Sequence, residues 1–429
     1  MSFLDELAAR RRFGMKPGLE TIRSLCAALG DPQLKFKAIH VAGTNGKGAV
    51  CAILDAALRN VRMNECSNVR MRIGRYTSPH LVKINERFFL DGAPIDDKAL
   101  ERVAEHVNSN IRTFEHSDIT FFEALTAVAF ELYAEAKVDY AILECGLGGR
   151  LDATNVCDPV LSVITRIGLD HCDWLGDTLE KIAAEKAGIV KPGVPIVLGR
   201  NESSVVEVVR RRAAEVGAPF HYAPDLANES EIPSDFSLPG AFNRENAITA
   251  LAALRVLAAR GAGVEKRCRC TAELPSSVCW PGRFQCVGNL IVDGAHNPPA
   301  AKALVDALSS LFPLPSSLNL ICGFCGDKDV GEVLSILAPI AKKGYAVRTK
   351  NPRSLSAEEA AAKMRTAGID AIACASLKEA IELTRGTRHE AQDTTLICGS
   401  LFLAGEALVE LDAYPWGTPR FDKSELLQP

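Results

Sequence analysis

The chain has 429 residues, which is too long for one ordinary hydrophobic core and predicts two domains. A composition of 47% hydrophobic and 24% charged residues is typical of a globular protein in water. The net charge of −4 argues against a broad nucleic-acid-binding surface, and no apolar run reaches membrane-spanning length. Residues 1–18 contain acidic side chains near their start and no apolar core, so we expect no secretory signal. The scattered cysteines suit a reducing cytoplasm.

A strand, a glycine loop and a helix near the N-terminus predict a phosphate-binding loop. An apolar stretch at 37–42 runs into Gly43-Thr-Asn-Gly-Lys-Gly48, and an alanine-rich helical pattern follows. Glycines let backbone N–H groups surround an anion, and the start of the helix adds its positive dipole. Lys47 places a point charge where the outer phosphates of a nucleotide would lie. Val41 and Gly48 depart from the common P-loop pattern, so a plain helix-capping turn is the alternative.

Strand-like and helix-like segments alternate after this loop, which predicts a parallel sheet with helices on both faces. Continuous apolar runs at 139–144 and 160–165 are typical of strands that are buried on both faces. Helices are expected over 178–187, 203–216 and 244–260. A second series predicts strands near 290–293, 318–322, 344–348, 371–374 and 394–398, with helices beginning near 298, 330, 356, 376 and 400.

We therefore predict the α/β class, with a P-loop-containing parallel-sheet ATPase domain and a smaller Rossmann-like α/β C-terminal domain. The first domain is expected over residues 1–275 and the second over 287–429. The linker is placed at 276–286, because glycines, prolines and clustered charges interrupt the alternation there.

Polar side chains follow several of the predicted strands. Glu144 ends one strand at the edge where α/β sheets bind ligands, and its hard carboxylate oxygens suit Mg²⁺. Ser78 lies in a polar loop, His171 follows another strand, and Lys186 lies on a predicted helix. On local grounds alone, a surface loop, a structural histidine and a surface lysine are the alternative interpretations.

The motifs occur in an order that resembles the dihydrofolate synthase/folylpolyglutamate synthase family of the Mur ligase superfamily. The resemblance rests on Gly43-Thr-Asn-Gly-Lys-Gly48, Thr77-Ser-Pro-His-Leu81, the stretch 143–155, Ile164-Thr-Arg-Ile-Gly-Leu-Asp-His171, Ala184-Glu-Lys-Ala-Gly-Ile189, Phe242-Asn-Arg-Glu-Asn-Ala247, Trp280-Pro-Gly-Arg283 and Asp293-Gly-Ala-His-Asn-Pro298. It implies ATP as co-substrate, one or two Mg²⁺ ions as cofactors and a monovalent cation as a further candidate. The implied partners are small-molecule substrates, namely dihydropteroate or folates and L-glutamate.

The resemblance also implies roles for individual residues. The residues expected to bind ATP are Asn45, Gly46, Lys47, Gly48, Asn246, Arg283 and Asp293. Those expected to hold the metal are Ser78, Glu144, His171 and Lys186, the last as a carbamate, and those expected to act in catalysis are Lys47, His171, Lys186 and Arg283. The pterin is expected to contact Lys16, Pro17, Gly18, Thr120, Phe121, Phe122, Glu123, Leu151, Asp152 and Ala153, with ring stacking and core packing both open for the two phenylalanines. Glutamate is expected near His296 and Ser400.

The chemistry implied is activation of a carboxylate as an acyl phosphate, followed by attack of the glutamate amine. Ala49 departs from the family pattern, which usually has serine or threonine there, so one hydroxyl donor to phosphate is missing. Two alternatives remain: a cell-wall Mur-type amino-acid ligase, disfavoured because only about 40 residues precede the phosphate loop, and a non-catalytic ATP-binding regulatory paralogue, suggested by Ala49. We expect a cytoplasmic monomer that binds neither nucleic acid nor membrane.

Overall fold

The computed structural model describes residues 18–60, 62–64, 67–113, 119–260, 274–311, 318–326, 330–384 and 394–416. Within these ranges the chain forms an eight-stranded sheet and a six-stranded sheet, together with a separate two-stranded hairpin, and helices flank both large sheets. The α/β class is thereby confirmed. None of the helices in these ranges is both long enough and apolar enough to cross a membrane.

The first sheet is parallel at its centre and antiparallel at one edge. Its strands are β1 (Lys37–Ala42), β4 (Ile73–Tyr76), β5 (Phe88–Leu90), β6 (Ala93–Pro94), β7 (Tyr140–Glu144), β8 (Pro159–Ile164), β9 (Ile196–Leu198) and β10 (Phe220–Tyr222), while β2 (Arg62–Asn64) and β3 (Ser67–Arg70) form the hairpin. The spatial order is β10-β9-β8-β1-β7-β4-β5-β6. The strands from β10 to β4 pair in parallel as predicted, whereas β5 and β6 are antiparallel additions that the alternating pattern did not predict.

Helices cover both faces of this sheet. They are α1 (Glu20–Ala28), α2 (Lys47–Asn60), α3 (Asp97–Thr113), α4 (Phe121–Ala136), α5 (Cys172–Leu175), α6 (Leu179–Ala187), α7 (Ser203–Glu215), α8 (Ala223–Leu226) and α9 (Ala241–Ala259), with 3₁₀ turns at Pro32–Leu34, Ile84–Arg87, Ala153–Val156 and Glu229–Glu231. Helix α2 is buried all round because its small alanines let it pack between the sheet and α9. Helix α3 is amphipathic instead, with Leu100, Val103, Ala104, Val107 and Ile111 turned toward α1 and α4.

The second sheet is smaller and begins one strand earlier than predicted. Its strands are β11 (Gln285–Val287), β12 (Leu290–Val292), β13 (Leu318–Cys322), β14 (Ala341–Ala346), β15 (Ala371–Ala373) and β16 (Thr395–Cys398), in the order β11-β12-β16-β13-β14-β15. Only β11 is antiparallel among these described strands. The helices here are α10 (Pro298–Leu311), α11 (Val330–Leu337), α12 (Ala357–Thr366), α13 (Leu377–Thr384) and α14 (Leu401–Glu410), with a 3₁₀ turn at Ala338–Ile340.

The registers of the parallel strands bring four loops to one edge of the first sheet. Val41 of β1 pairs with Glu144 of β7, and Ala42 pairs with Ile164 of β8. Strand β4 lies beside β7, so the loop after Tyr76 emerges at the same edge. The polar segments that follow β1, β4, β7 and β8 therefore meet at the carboxyl ends of adjacent strands, which is the usual ligand-binding edge of such sheets.

Candidate active site

The glycine loop between β1 and α2 is closely packed against side chains from three other segments. Gly43 and Gly46 have φ angles of 150° and 88°, a region that glycine adopts without strain. A Cβ atom at Gly46 would collide with the side-chain amide of Asn246, and one at Gly48 would collide with the ring of Trp280. The structure thus places Asn246, predicted to bind ATP, directly against the loop that contains Asn45, Gly46, Lys47 and Gly48.

Two of the predicted catalytic lysines meet at one carbonyl oxygen of this loop. The Lys47 ammonium donates to the carbonyl oxygens of Gly43 and Thr44, both at 3.1 Å. The Lys186 ammonium, on α6, donates to the same Gly43 oxygen at 2.8 Å. Lys186 is buried, and burial together with the positive charge of Lys47 lowers the pKa of Lys186 to about 7. A substantial fraction of Lys186 is therefore a neutral amine near neutral pH.

Glu144 and Ser78, both predicted to hold metal, are in direct contact. The buried carboxylate of Glu144 accepts a hydrogen bond from the backbone N–H of Ser78 at 3.0 Å. Burial raises the pKa of Glu144, while the charge of Lys47, the Ser78 N–H and the charges of Arg283 and Arg75 act in the opposite direction. The site is thus a buried carboxylate surrounded by positive charge, beside the glycine loop.

His171 is placed differently from these residues. It has a left-handed backbone, with φ of 53°, and its imidazole is 44% exposed, with Nε2 at 3.8 Å from Asp170 Oδ1. The other carboxylate oxygen of Asp170 accepts from Asn297 Nδ2 at 2.9 Å, which joins this loop to the second sheet. Within the described ranges no three His, Cys, Asp or Glu side chains are arranged to hold a metal ion.

Arg283, predicted in the linker, and Asp293, predicted after the first strand of the second domain, lie just before and just after the hairpin of β11 and β12. Asp293 uses both carboxylate oxygens on backbone donors, accepting from the N–H groups of Phe284 and Ala295 at 2.7 Å each. Arg283 is half-buried. Burial lowers the pKa of Arg283, and the negative charges of Asp293 and Glu144 raise it by a smaller amount. Asp293 therefore fixes the backbone beside Arg283, a structural task that the sequence did not predict.

The two residues predicted near glutamate have identifiable local partners. His296 Nδ1 lies 2.8 Å from the carbonyl oxygen of Gly294. Ser400 is buried and caps helix α14, because its hydroxyl accepts the N–H of Leu403 at 3.0 Å. Both residues follow adjacent parallel strands, β12 and β16, so they lie at the same edge of the second sheet.

The residues predicted to contact a pterin are mostly engaged in local structure. Thr120 and Glu123 form a capping box at the start of α4, with Thr120 N–H donating to Glu123 Oε2 at 2.8 Å. Phe121 packs in the hydrophobic core, whereas Phe122 is half-buried and its ring lies against the backbone of Gly146. Leu151 is 37% exposed, Ala153 is buried and Gly18 has a φ of 142°. Lys16 and Pro17 lie outside the described residues.

Asp152 begins a buried polar chain that sequence reasoning missed. Its carboxylate accepts from Leu147 N–H at 2.8 Å and from the Thr154 hydroxyl at 2.5 Å. Because the Thr154 hydroxyl donates its hydrogen bond to Asp152, the Thr154 oxygen is the acceptor for His40 Nε2, at 2.8 Å. His40 Nε2 also lies 3.1 Å from the sulfur of Cys145. In the sequence, this buried hydrogen-bonded network is indicated only by a histidine, His40, within an apolar strand.

Comparison with known protein families accounts for this arrangement. Residues 41–217 match the Mur ligase middle domain, and residues 282–401 match the Mur ligase glutamate ligase domain. A dihydrofolate synthase/folylpolyglutamate synthase from Bacillus subtilis (strain 168) is 34% identical over 380 residues, covering 82% of this chain and 85% of the relative. The protein of the same name from Escherichia coli (strain K12) is 32% identical over 431 residues, covering 96% of this chain and 95% of the relative.

Solved structures show the same fold. The structure of E. coli FolC in complex with DHPP and ADP superposes with a TM-score of 0.82 at 29% identity, covering 96% of this chain and 98% of that one. A Mycobacterium tuberculosis folylpolyglutamate synthase complexed with ADP and AMPPCP gives a TM-score of 0.80 at 29% identity, covering 96% and 100%.

The fold and the two matched domains define an ATP-dependent ligase of the Mur type. Because relatives above 30% identity are matched over most of both chains, the protein belongs to the dihydrofolate synthase/folylpolyglutamate synthase family. The resemblance that its motifs indicated is thereby confirmed.

Proposed function

We propose that this protein, an ATP-dependent ligase of folate metabolism, joins L-glutamate to dihydropteroate, to the γ-carboxylate of a folate, or to both. The observation that carries the proposal is the meeting of the phosphate loop, Glu144 and the lysines 47 and 186 at one sheet edge. The names of the relatives support the substrate class, as does a neighbouring structure with Mn, AMPPNP and L-glutamate bound.

The proposed reaction has two steps. A carboxylate oxygen of the pteroate or folate attacks the γ-phosphorus of ATP, the bond to the β-phosphate oxygen breaks, and ADP leaves. The glutamate amine then attacks the carbonyl carbon of the acyl phosphate, loses a proton and expels inorganic phosphate, which leaves an amide. Lys47 and Arg283 would neutralise phosphate charge, and the protein otherwise acts by orienting the reactants.

The donors beside the phosphate loop suit magnesium that is bound chiefly through substrate phosphates. Mg²⁺ usually takes one or two protein carboxylates and fills its other positions with phosphate oxygens and water. Glu144 offers one buried carboxylate, and Ser78, whose backbone N–H contacts that carboxylate, would offer its hydroxyl as a second oxygen. When bound, one or two Mg²⁺ ions would neutralise charge on the transferred phosphoryl group. His171 is proposed as a further ligand.

Lys186 is proposed to carry a carbamate. The carbon of CO₂ forms a bond to the neutral amine nitrogen, a proton leaves, and the product is a carboxylate-like anion. The buried setting of Lys186 supports this step, because its lowered pKa of about 7 makes the neutral amine available. Conversion from ammonium to carbamate also replaces the repulsion between Lys186 and Lys47 with attraction.

The remaining assignments complete the proposal. The adenine side of ATP would contact Asn246, and Asp293 would be a further ATP contact. The pterin would lie along Gly18, the start of α4 and the segment 151–153, and glutamate would approach His296 and Ser400. We assign the catalytic domain to residues 1–275, the linker to 276–286 and the C-terminal domain to 287–429. A cytoplasmic location is supported by the cysteines of the described ranges, which are all free thiols.

The test is substrate-dependent phosphate release from ATP, with mass measurement of the product. Phosphate should be released in quantity only when a pteroate or folate and glutamate are both supplied, and the product should gain one glutamyl group. Lys47→Ala should lower the rate at least ~100-fold, because a preorganised charge on the phosphates is lost. Glutamate-independent ATP hydrolysis, or ATP binding without turnover, would reject the ligase proposal in favour of another role.

A further inference from the structure

The last described residues of the chain return to the first sheet. Tyr414 and Trp416 follow helix α14 of the second unit, and we call residues 414–416 the C-terminal clamp. The hydroxyl of Tyr414 donates to Glu86 Oε1 at 2.6 Å, and both side chains are buried. The ring of Trp416 stands edge-on to Phe89 of β5, with centroids 5.2 Å apart, and edge-on to Tyr414 at 5.6 Å.

Glu86, the partner of Tyr414, fixes the backbone conformation of the loop between β4 and β5. Its carboxylate accepts the backbone N–H groups of Leu81, Val82 and Lys83 at 2.8, 2.8 and 2.7 Å. This loop also contains Ser78, whose backbone N–H donates to Glu144 in the candidate active site. The C-terminal clamp therefore holds the carboxylate that organises an active-site loop.

The same loop lies directly on the second unit. Gly405 of α14 has no room for a side chain, because a Cβ atom there would collide with the carbonyl oxygen of Leu81. Gly282, in the segment that joins the units, is similarly close, since a Cβ atom on it would lie 3.1 Å from Leu81 Cδ1. The hydrogen bond of Tyr414 thus reinforces an interface that is already closely packed.

A series of aromatic and cation–π contacts leads from the clamp to the glycine loop. Phe89, which contacts Trp416, lies under the guanidinium of Arg75, with Cζ 3.8 Å from the ring centroid. Arg75 also lies 5.5 Å from the ring of Trp280, and Trp280 packs on Gly48. The rings of Phe89, Trp280 and Trp416 line a pocket that also contains Arg283.

We propose that Tyr414 and Trp416 are positioning residues for ligation. Tyr414 holds the loop through Glu86 in the arrangement in which Ser78 meets Glu144, and Trp416 fixes the aromatic wall beside Arg283. Neither residue touches the reacting atoms; each limits the freedom of groups that do. The inference rests on the proposed function. It states that the C-terminal segment affects the turnover rate rather than the affinity for ATP.

The test uses substitutions that remove one contact at a time from the full chain. Tyr414→Phe removes only the hydroxyl, and its matched control is Tyr222→Phe on β10, at the opposite edge of the sheet. Tyr414→Phe should lower kcat about tenfold, because a buried hydrogen bond to a charged group is lost, while ATP affinity changes less than about twofold. Hydrogen exchange at the amides of Leu81, Val82 and Lys83 should become faster, since their acceptor is less firmly held. Trp416→Phe should retain more activity than Trp416→Ala, because it keeps an aromatic edge against Phe89.

Two results would overturn the proposal. One is a wild-type kcat for Tyr414→Phe, even with a lower melting temperature, since that is the signature of a contact that only stabilises the fold. The other is unchanged exchange of the three loop amides. If the wild-type protein itself lacks glutamate-dependent ligation, the proposed function fails instead, while the exchange measurement still decides whether the clamp holds the loop.

Discussion

Lys47 and Lys186 donate hydrogen bonds to the same carbonyl oxygen, that of Gly43, at 3.1 and 2.8 Å. Two ammonium groups at one acceptor repel each other, and the one that is more deeply buried gives up its proton more readily. The arrangement links the glycine loop to helix α6. Under the proposed function, it favours the neutral Lys186 amine that reaction with CO₂ requires.

The first prediction concerns the protonation of Lys186. Its pKa of about 7 in the folded protein means that the neutral amine increases as the pH rises through 7. At fixed dissolved CO₂, carbamate formation and ligation rate should therefore rise together over this range, and a ¹³C-labelled carbamate signal should appear. Lys186→Ala should be inactive and partly rescued by short carboxylates, whereas Lys181→Ala, an exposed position on the same helix, should need no rescue. An unmodified lysine in active protein with ATP and Mg²⁺ would contradict the carbamate.

A second prediction separates charge from shape at Glu144. Glu144→Gln keeps an oxygen that accepts the Ser78 N–H but removes the negative charge. Ligation should fall at least ~100-fold if this charge holds metal against the phosphates. The melting temperature should not fall, because burial already disfavours the charged form. The paired measurement is turnover and thermal unfolding, with Glu185→Gln on α6 as the control; persistent turnover per folded molecule would remove Glu144 from the metal site.

The third prediction uses the departure from the family pattern at Ala49. This residue is buried in the first turn of α2. The proposed function places bound phosphate within reach of a hydroxyl at this position. Ala49→Ser should lower the Michaelis constant for ATP about two- to tenfold, which corresponds to one neutral hydrogen bond. Ala56→Ser, a buried position later on the same helix, should leave it unchanged. Titration of ATP-dependent ligation at fixed Mg²⁺ decides the question, and weaker ATP affinity in Ala49→Ser would show that the phosphates lie elsewhere.

The fourth prediction concerns acid stability and His40. His40 Nδ1 has no hydrogen-bond partner in the described structure, and burial lowers the pKa of His40 to about 3 from its usual 6.5. Between these values the unfolded chain binds a proton that the folded protein does not, so the free energy of unfolding falls as the pH drops below about 6.5. The slope from one such group is at most about 1.4 kcal/mol per pH unit.

Denaturation at a series of pH values would measure this slope. His40→Gln cannot titrate, so its deficit relative to wild type should shrink between pH 7 and pH 4. His106→Gln serves as the control, because that imidazole is exposed in the folded protein. A constant difference between wild type and His40→Gln across the range would show that His40 does not contribute to acid lability.

Much of the architecture follows from the sequence alone. The apolar stretch at 37–42 is strand β1 as the structure has it, and the loop, helix α2 and the strand that ends at Glu144 lie where the pattern predicts them. These features depend on local periodicity and on glycines at special backbone angles, which neighbouring residues specify. The ordered motifs were enough to indicate the family, because each is a short segment whose chemistry is visible without its partners.

Other features were decided only by the tertiary structure. The Ser78–Glu144 and Lys186–Gly43 contacts join residues far apart in sequence, and the Tyr414–Glu86 bond joins the two sheet units. The pKa values of Lys186 and His40 depend on burial, a property of the packed core that no local pattern contains. The antiparallel edge strands were missed because strand pairing is also a property of the packed structure that no local pattern contains. Residue type and spacing specify which groups are available, and long-range packing decides which of them meet and how strongly each is desolvated.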